Sequence, residues 1–251
     1  MAISKTAGSK IFISPVSVNP DTYNNASSSA ALALFDAITD WIEVEEVEDM
    51  GEHGDTAEEI TFTSIGDART RKQKGARNAG TKTIVAGCDP LDDGQVALAA
   101  AQATDFNYAF KVVRADARAS NYSNTVEYFV GLVTGEAVNQ GAQNNVVKQT
   151  FPISLNTKIY RKLSAIIPAP TVASLDVTTG PAAGGTSVEI TGTNFIGVTG
   201  VKFGGAAATN VVMTSDTTLT CDTPAGSAGV VSVDVTTASG TGSKPNAFTY
   251  T

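Results

Sequence analysis

Few residues in this chain are suited to chemistry. The single histidine, His53, lies in Gly51-Glu52-His53-Gly54-Asp55, between carboxylates. With Glu52 or Asp55 it could begin a metal shell, but no second histidine and no cysteine pair exists to complete a transition-metal site. A histidine among acids in a polar loop reads as solvated. A Ser-His-Asp arrangement would have to use the same residue, and no Gly-x-Ser-x-Gly elbow is present. There is also no phosphate-cradling glycine loop. Paired carboxylates at Asp92/Asp93 and Glu58/Glu59 suit helix capping and loop solvation better than acid–base work. The expectation is a protein that is not an enzyme and takes no cofactor and no metal.

Charge patterning narrows the partners. The chain has 251 residues and a net charge of −8, with 17 Lys/Arg against 25 Asp/Glu. Beyond Ala165 the only basic residues are Lys202 and Lys244, so that part has no footprint for phosphate binding. Tight duplex binding is not expected. Cys88 and Cys221 sit among apolar or β-forming neighbours and read as two buried free thiols of a reducing compartment. Met1 to Lys5 shows no signal-peptide core, and no apolar run approaches the ~20 residues of a membrane helix. A soluble product without membrane insertion is expected.

The elements that position these residues fall into two regions. At Ile166-Ile167-Pro168-Ala169-Pro170 two prolines mark an extended connector. The expected division is a domain over 1–165, a linker over 166–170 and a second domain over 171–251. The second region alternates apolar and polar residues, as in Ser187-Val188-Glu189-Ile190-Thr191 and Val231 to Thr236, between closely spaced glycine and proline turns. Short half-buried strands separated by turns predict a β-sandwich.

The first region is expected to be β-rich with one short helix. Ala30 to Trp41 is compatible with either a helix or the approach to a strand. Trp41 to Val47 reads as a strand in which Ile42 and Val44 share a face, while Val47 joins them only if a bulge intervenes. Met50 to Ala79 reads as a long polar loop, acidic first and basic later. Thr81 to Cys88 reads as a strand. Asp89 and Pro90 are expected to cap a helix running to Ala103. Strands follow at Phe106–Val112, Val126–Val133 and Val147–Leu155. The middle one is apolar on both faces and therefore central; Pro152 marks an unpaired edge or bulge in the last.

The C-terminal region resembles the IPT/TIG immunoglobulin-like module. The resemblance rests on Gly180-Pro181 with Gly184-Gly185-Thr186, on Ile190-Thr191-Gly192-Thr193-Asn194-Phe195, on Val201-Lys202-Phe203-Gly204-Gly205, and on Ala247-Phe248-Thr249-Tyr250. Such modules serve many functions, so the resemblance implies a fold and no activity.

The first region, over roughly residues 10 to 163, resembles the major tail tube protein of long-tailed, non-contractile bacteriophages. The resemblance lies in element order: a Trp41-Ile42 strand, the long loop, Lys74 to Gly80 leading into a strand, a helix near Asp93-Gly94-Gln95, then Tyr108-Ala109-Phe110-Lys111 and Tyr128-Phe129-Val130-Gly131. The family often carries a C-terminal immunoglobulin-like domain. The resemblance implies a structural virion protein that assembles in the host cytoplasm as stacked hexameric rings. Its tube conducts DNA without specific binding, and tape measure and tail terminator proteins are further partners.

By Coulomb sign an acidic lumen would repel phosphate, and the candidates are Glu43, Glu45, Glu46, Glu48 and Glu127. The loop, through Glu52, Asp55, Glu58, Glu59, Arg69, Arg71, Lys72 and Lys74, is the expected inter-ring contact, ordered on assembly. The C-terminal module would hang outside, with weak repeated contact to host-surface glycans. The alternatives are a carbohydrate-binding or adhesive surface protein using that module, and a virion decoration protein.

Overall fold

The computed structural model describes residues 7–66, 69–142 and 145–251. Two compact units result, one built from residues up to Asp116 together with Asn124–Ser164, the other from Ala117–Ser123 and Ala165–Thr251.

The first unit runs β1 (Lys10–Ser17), α1 (Pro20–Asn24), α2 (Ser28–Asp36), β2 (Ile42–Val44), β3 (Val47–Asp49), β4 (Thr56–Thr63), β5 (Thr70–Asn78), β6 (Thr81–Gly87), α3 (Asp93–Gln102), β7 (Tyr108–Val113), β8 (Val126–Val133), β9 (Ala137–Asn139), β10 (Lys148–Leu155) and β11 (Tyr160–Lys162). The main sheet has the order β2-β1-β7-β8-β10-β6-β3, with β9 added on β10 and β11 on β8. Its two end strands, β2 and β3, are consecutive in the chain. A single stretch, 42–49, therefore spans both ends of the sheet and curls it toward a barrel.

That crossing requires a break. Glu46 adopts φ 52, a left-handed conformation uncommon for a residue with a side chain. The break returns Val47 to the face of Ile42 and Val44, and all three pack on one core with Ile11, Ile13, Ile84, Phe110, Phe129, Phe151 and Ile153. Helix α3 holds the corner. Its N-cap Asp92 accepts from Gly94 N and Gln95 N, and also from Glu45 N at 3.0 Å; the Gln95 amide donates to Gly87 O at 2.9 Å. Asp92 thus caps this helix in place of the expected Asp89, whose side chain closes a local turn onto Leu91 N instead. A capping acid at either position satisfies the early amides, but only Asp92 also reaches the broken strand.

The apolar character of β8 on both faces has a structural reason. Phe129 and Val133 point into the barrel core, whereas Tyr128 and Val130 meet a second layer formed by Tyr23, Ala31, Phe35 and Tyr160. Phe35 of α2 stacks on Tyr128 with ring centroids 5.0 Å apart. The single helix expected from the sequence is thus joined by α1 and α2, capped by Asn19 and Ser27, α2 resolving the choice left open from Ala30 onward in favour of a helix.

Two other expectations change. Cys88 is exposed, whereas Cys221 is buried. The stretch read as a long loop is mostly a two-stranded hairpin, β4 paired antiparallel with β5 from Thr56↔Asn78 to Thr63↔Thr70. Its pattern Glu59-Ile60-Thr61-Phe62-Thr63 is a period-2 strand hidden within a charged segment.

Pro152 lies in β10 opposite Thr83 of β6. Its carbonyl accepts from Thr134 N, just past the end of β8, so the missing N–H falls in the gap between β8 and β9.

The second unit is a sandwich of β12 (Thr171–Leu175), β13 (Thr179–Gly180), β14 (Ser187–Thr193), β15 (Val198–Phe203), β16 (Ala206–Ala207), β17 (Thr209–Met213), β18 (Thr218–Asp222), β19 (Gly229–Thr237) and β20 (Gly240–Tyr250). One sheet is β12-β14-β18-β17 and the other β13-β20-β19-β15-β16. Alternating Val188 and Ile190 face Val233 and Val235 in a core completed by Phe195, Phe203, Phe248 and Tyr250. Gly192 is required by contact, since a Cβ there would stand 1.9 Å from Thr171 O. Residues 165–167 run extended against 121–123, with Ile167 N donating to Asn121 O at 2.8 Å.

The corner yields a stability prediction. A Cβ on Gly94 would lie 2.1 Å from Glu43 O and 2.5 Å from Val44 Cα, whereas Gly54 has open space around it. Gly94→Ala should lower unfolding free energy in urea by about 3 kcal/mol, and Gly54→Ala should change it by no more than about 0.5 kcal/mol.

Candidate functional site

The expected site residues separate into three groups. Glu43, Glu45, Glu46 and Glu48 lie along the broken strand. Glu43 pairs with Lys10 at 2.9 Å and Glu48 with Lys148 at 2.7 Å, both at the surface, while Glu45 and Glu46 are exposed at the break. Ion pairs of this kind contribute little to stability.

The second group forms the hairpin. Asp55, Glu58 and Glu59 lie on or beside β4, and Arg71, Lys72 and Lys74 on β5, so its two edges have opposite sign. Lys72 meets Glu59 at 2.9 Å and Arg77 meets Asp55 at 3.0 Å across the hairpin. Glu52 is exposed at the root, and Arg69 stands between the tip and β5. Ile60 is 52% exposed, Phe62 63%, and Ile65 fully so. Among the described residues this hairpin pairs with no other strand.

Glu127 forms the third group, and here the lumen expectation is overturned: its side chain is fully buried, so it lines no open surface of this chain. A carboxylate in a strand buried on both faces has to be compensated, and it is. Oε1 accepts from Arg114 Nη2 at 2.7 Å and from Arg161 Nε at 2.6 Å, and Oε2 meets His53 Nε2 at 2.8 Å. The other imidazole nitrogen, Nδ1, is 3.1 Å from Nζ of Lys82, itself buried, which also donates to Gly51 O at 3.3 Å.

His53 is therefore not the solvated loop residue that its neighbours in sequence suggest. Burial pushes the Glu127 carboxyl up, but the hydrogen bonds from His53 and Arg161 and the positive charge of Arg114 outweigh it and hold the group at about 2. Burial pulls Lys82 down to about 8, against the attraction of Glu127 and Asp49.

The cluster bonds three separate segments to one carboxylate and a fourth, through His53, to Lys82. Among the described residues no group of His, Cys, Asp and Glu could hold a metal ion. The cluster's members are scattered from position 53 to 161, so spacing offers no motif. One signal was present: Glu127 is the sole charge in an otherwise apolar strand.

Acid should expose this arrangement. A carboxyl held below its ordinary 4.5 contributes stability that is complete above about pH 4.5 and is lost as pH falls through about 2. Glu127→Gln should cost about 3 kcal/mol at pH 7, because three donors lose an anion. The gap between the variant and the native protein should then narrow in urea titrations between pH 4.5 and pH 2; a constant gap refutes the assignment.

Residues 170–250 match the IPT/TIG domain family. No curated protein matches the sequence. Among solved structures, the chain is similar to one from the anti-feeding prophage (AFP) baseplate, at 9% identity and TM-score 0.47, over 65% of this chain and 96% of that one. It is also similar to the SPP1 tail tube, at 11% identity and TM-score 0.42, over 61% of this chain and 76% of that one. A third is SGBP-B from a complex xyloglucan utilization locus in Bacteroides uniformis, at 18% identity and TM-score 0.34, over 57% of this chain and 45% of that one. With the sandwich core and its glycine contacts already described, residues 170–250 constitute an IPT/TIG domain.

Proposed function

We propose that this chain is a structural subunit of a bacteriophage tail tube, polymerising as stacked hexameric rings that conduct DNA without binding it specifically. In this reading its partners are further copies of itself and the tape measure and tail terminator proteins, it assembles in the host cytoplasm, and the IPT/TIG domain is displayed outside the tube. Among the lumen candidates Glu45, Glu46 and Glu48 are exposed, and since Glu48 sits beside Lys148, Glu45 and Glu46 are the two best suited to repel phosphate.

The observation that carries the reading is hairpin β4–β5. A lone two-stranded hairpin is marginal in water and gains stability when a further surface covers it. This one presents Ile60, Phe62 and Ile65 together with two open backbone edges of opposite charge. Edges of opposite sign favour a head-to-tail contact between copies, the kind that closes rings or propagates filaments.

The adhesive alternative finds less support. The aromatic residues of the IPT/TIG domain, Phe195, Phe203, Phe248 and Tyr250, are all buried in its core and offer no stacking platform for a sugar.

Replacing residues 56–78 by a short Gly-Ser turn should leave a folded chain by circular dichroism that forms neither rings nor tubes in negative-stain micrographs. Normal tubes from this variant would overturn the reading. A chain ending at Ser164 should still assemble; if it yields only monomers, the C-terminal domain is part of the tube itself.

A further inference from the structure

Helix α3 departs from the usual division of a surface helix. Gly94, Gln95, Leu98 and Ala101 are buried, and the opposite side, which ordinarily carries charge, presents Val96, Ala100 and Ala103 to solvent. Val96 is 53% exposed, and Leu91, in the turn before the helix, 89%. The charges nearest this face have one sign. Asp93 is the sole charged residue within α3, and it and Asp89, both exposed, flank Leu91; no lysine or arginine occurs between Lys82 and Lys111.

One face of the hairpin has the complementary make-up. Directly opposed residues of an antiparallel pair share a face, so Ile60 and Phe62 stand with Gln73 and Arg71. Ile60 lies over Gly75, where a Cβ would come 3.1 Å from its Cδ1. The face therefore offers two apolar side chains beside one guanidinium, on a hairpin whose β5 carries Arg71, Lys72, Lys74 and Arg77 and no acid. Both this face and that of α3 stay largely exposed in the single chain.

We propose that the outward face of α3, with Leu91, Asp93 and Val96, is the seat for the Ile60, Phe62 and Arg71 face of the hairpin of a second copy, with Arg71 meeting Asp93. Each copy then offers one hairpin and receives another, a contact between unlike patches that can repeat around a ring or along a stack. The assignment rests on the reading of the hairpin given above and adds where the hairpin seats.

The test follows assembly of the full-length chain by light scattering and negative-stain microscopy. Arg71→Glu and Asp93→Arg should each raise the concentration needed for assembly by about tenfold or more, and the two together should return it to within about threefold of the native value. Arg71→Glu combined with Asp105→Arg, past the other end of α3, should stay impaired. Absence of rescue by Asp93→Arg, or equal rescue by Asp105→Arg, overturns the seat. Because Leu91 and Val96 are exposed, the double variant Leu91→Ser/Val96→Ser should fold normally by circular dichroism and still need about tenfold more protein to assemble. Normal assembly of that variant overturns the seat even if the charge variants misfold. If the chain lacking residues 56–78 fails to assemble while the helix-face variants assemble normally, the hairpin is the assembly element but seats elsewhere. If that deletion also forms normal tubes, the reading of the hairpin falls with it.

Discussion

The first unit depends on one strand that serves two ends of a sheet. Residues 42–49 pair with β1 and then with β6, which lie at opposite ends of the strand order. Such a strand has to turn midway, and turning strips its backbone of ladder partners. The cost is met by helix α3, whose Asp92 carboxylate takes Glu45 N and whose Gln95 amide takes Gly87 O. Buried backbone groups without partners cost about 1–3 kcal/mol each, so the helix is as necessary to the barrel as the sheet is. The same contact explains why position 94 has no side chain: the helix N-terminus sits directly on the strand it supports.

A second constraint acts at Glu127. Embedding a carboxylate between two apolar layers is unfavourable unless every lone pair is used, and here three cationic or protic side chains converge on it. Each comes from a different segment: the hairpin root, the end of β7, and β11. β7 and β11 already pair with β8, so what the cluster adds is the hairpin root, which it ties to that sheet through His53. Lys82 adds a buried ammonium on the opposite side of His53, and one imidazole mediates between the two charges.

How much of this was legible depended on whether a feature is local. Alternation in Ser187–Thr193 and Val231–Thr236, and the two-faced apolarity of Val126–Val133, follow from side-chain period alone and appear in the structure as β14, β19 and the central β8. The break near Val47 was visible as a phase error but not its cause, because the groups that compensate it, Asp92 and Gln95, come from far along the chain. The hairpin was obscured by its charges. Thr61, Phe62 and Thr63 alternate correctly, but the alternating apolar face, Ile60 and Phe62, stays more than half exposed and lies among charges, so the segment has the composition of a loop. His53 is illegible in sequence for a related reason: its sequence neighbours are solvent-facing acids, and its bonding partners are Lys82 and Glu127.

The correction at Glu127 also changes the physical case for a conduit. With that carboxylate compensated in the interior, and Glu43 and Glu48 each beside a lysine, the field at the bend of strand 42–49 derives mainly from Glu45 and Glu46. Salt limits the reach of such charges to about 8 Å at physiological ionic strength. Two acids at one bend would repel a phosphate only locally and could not set the field of a whole channel from one subunit. Repetition would have to do so, each copy adding the same short-ranged contribution around a ring and along a stack. The charge argument for a lumen thus depends on assembly, and assembly in turn on how copies meet. Among the described surfaces of the first unit, the hairpin combines open edges, exposed apolar side chains and a sign difference between its strands.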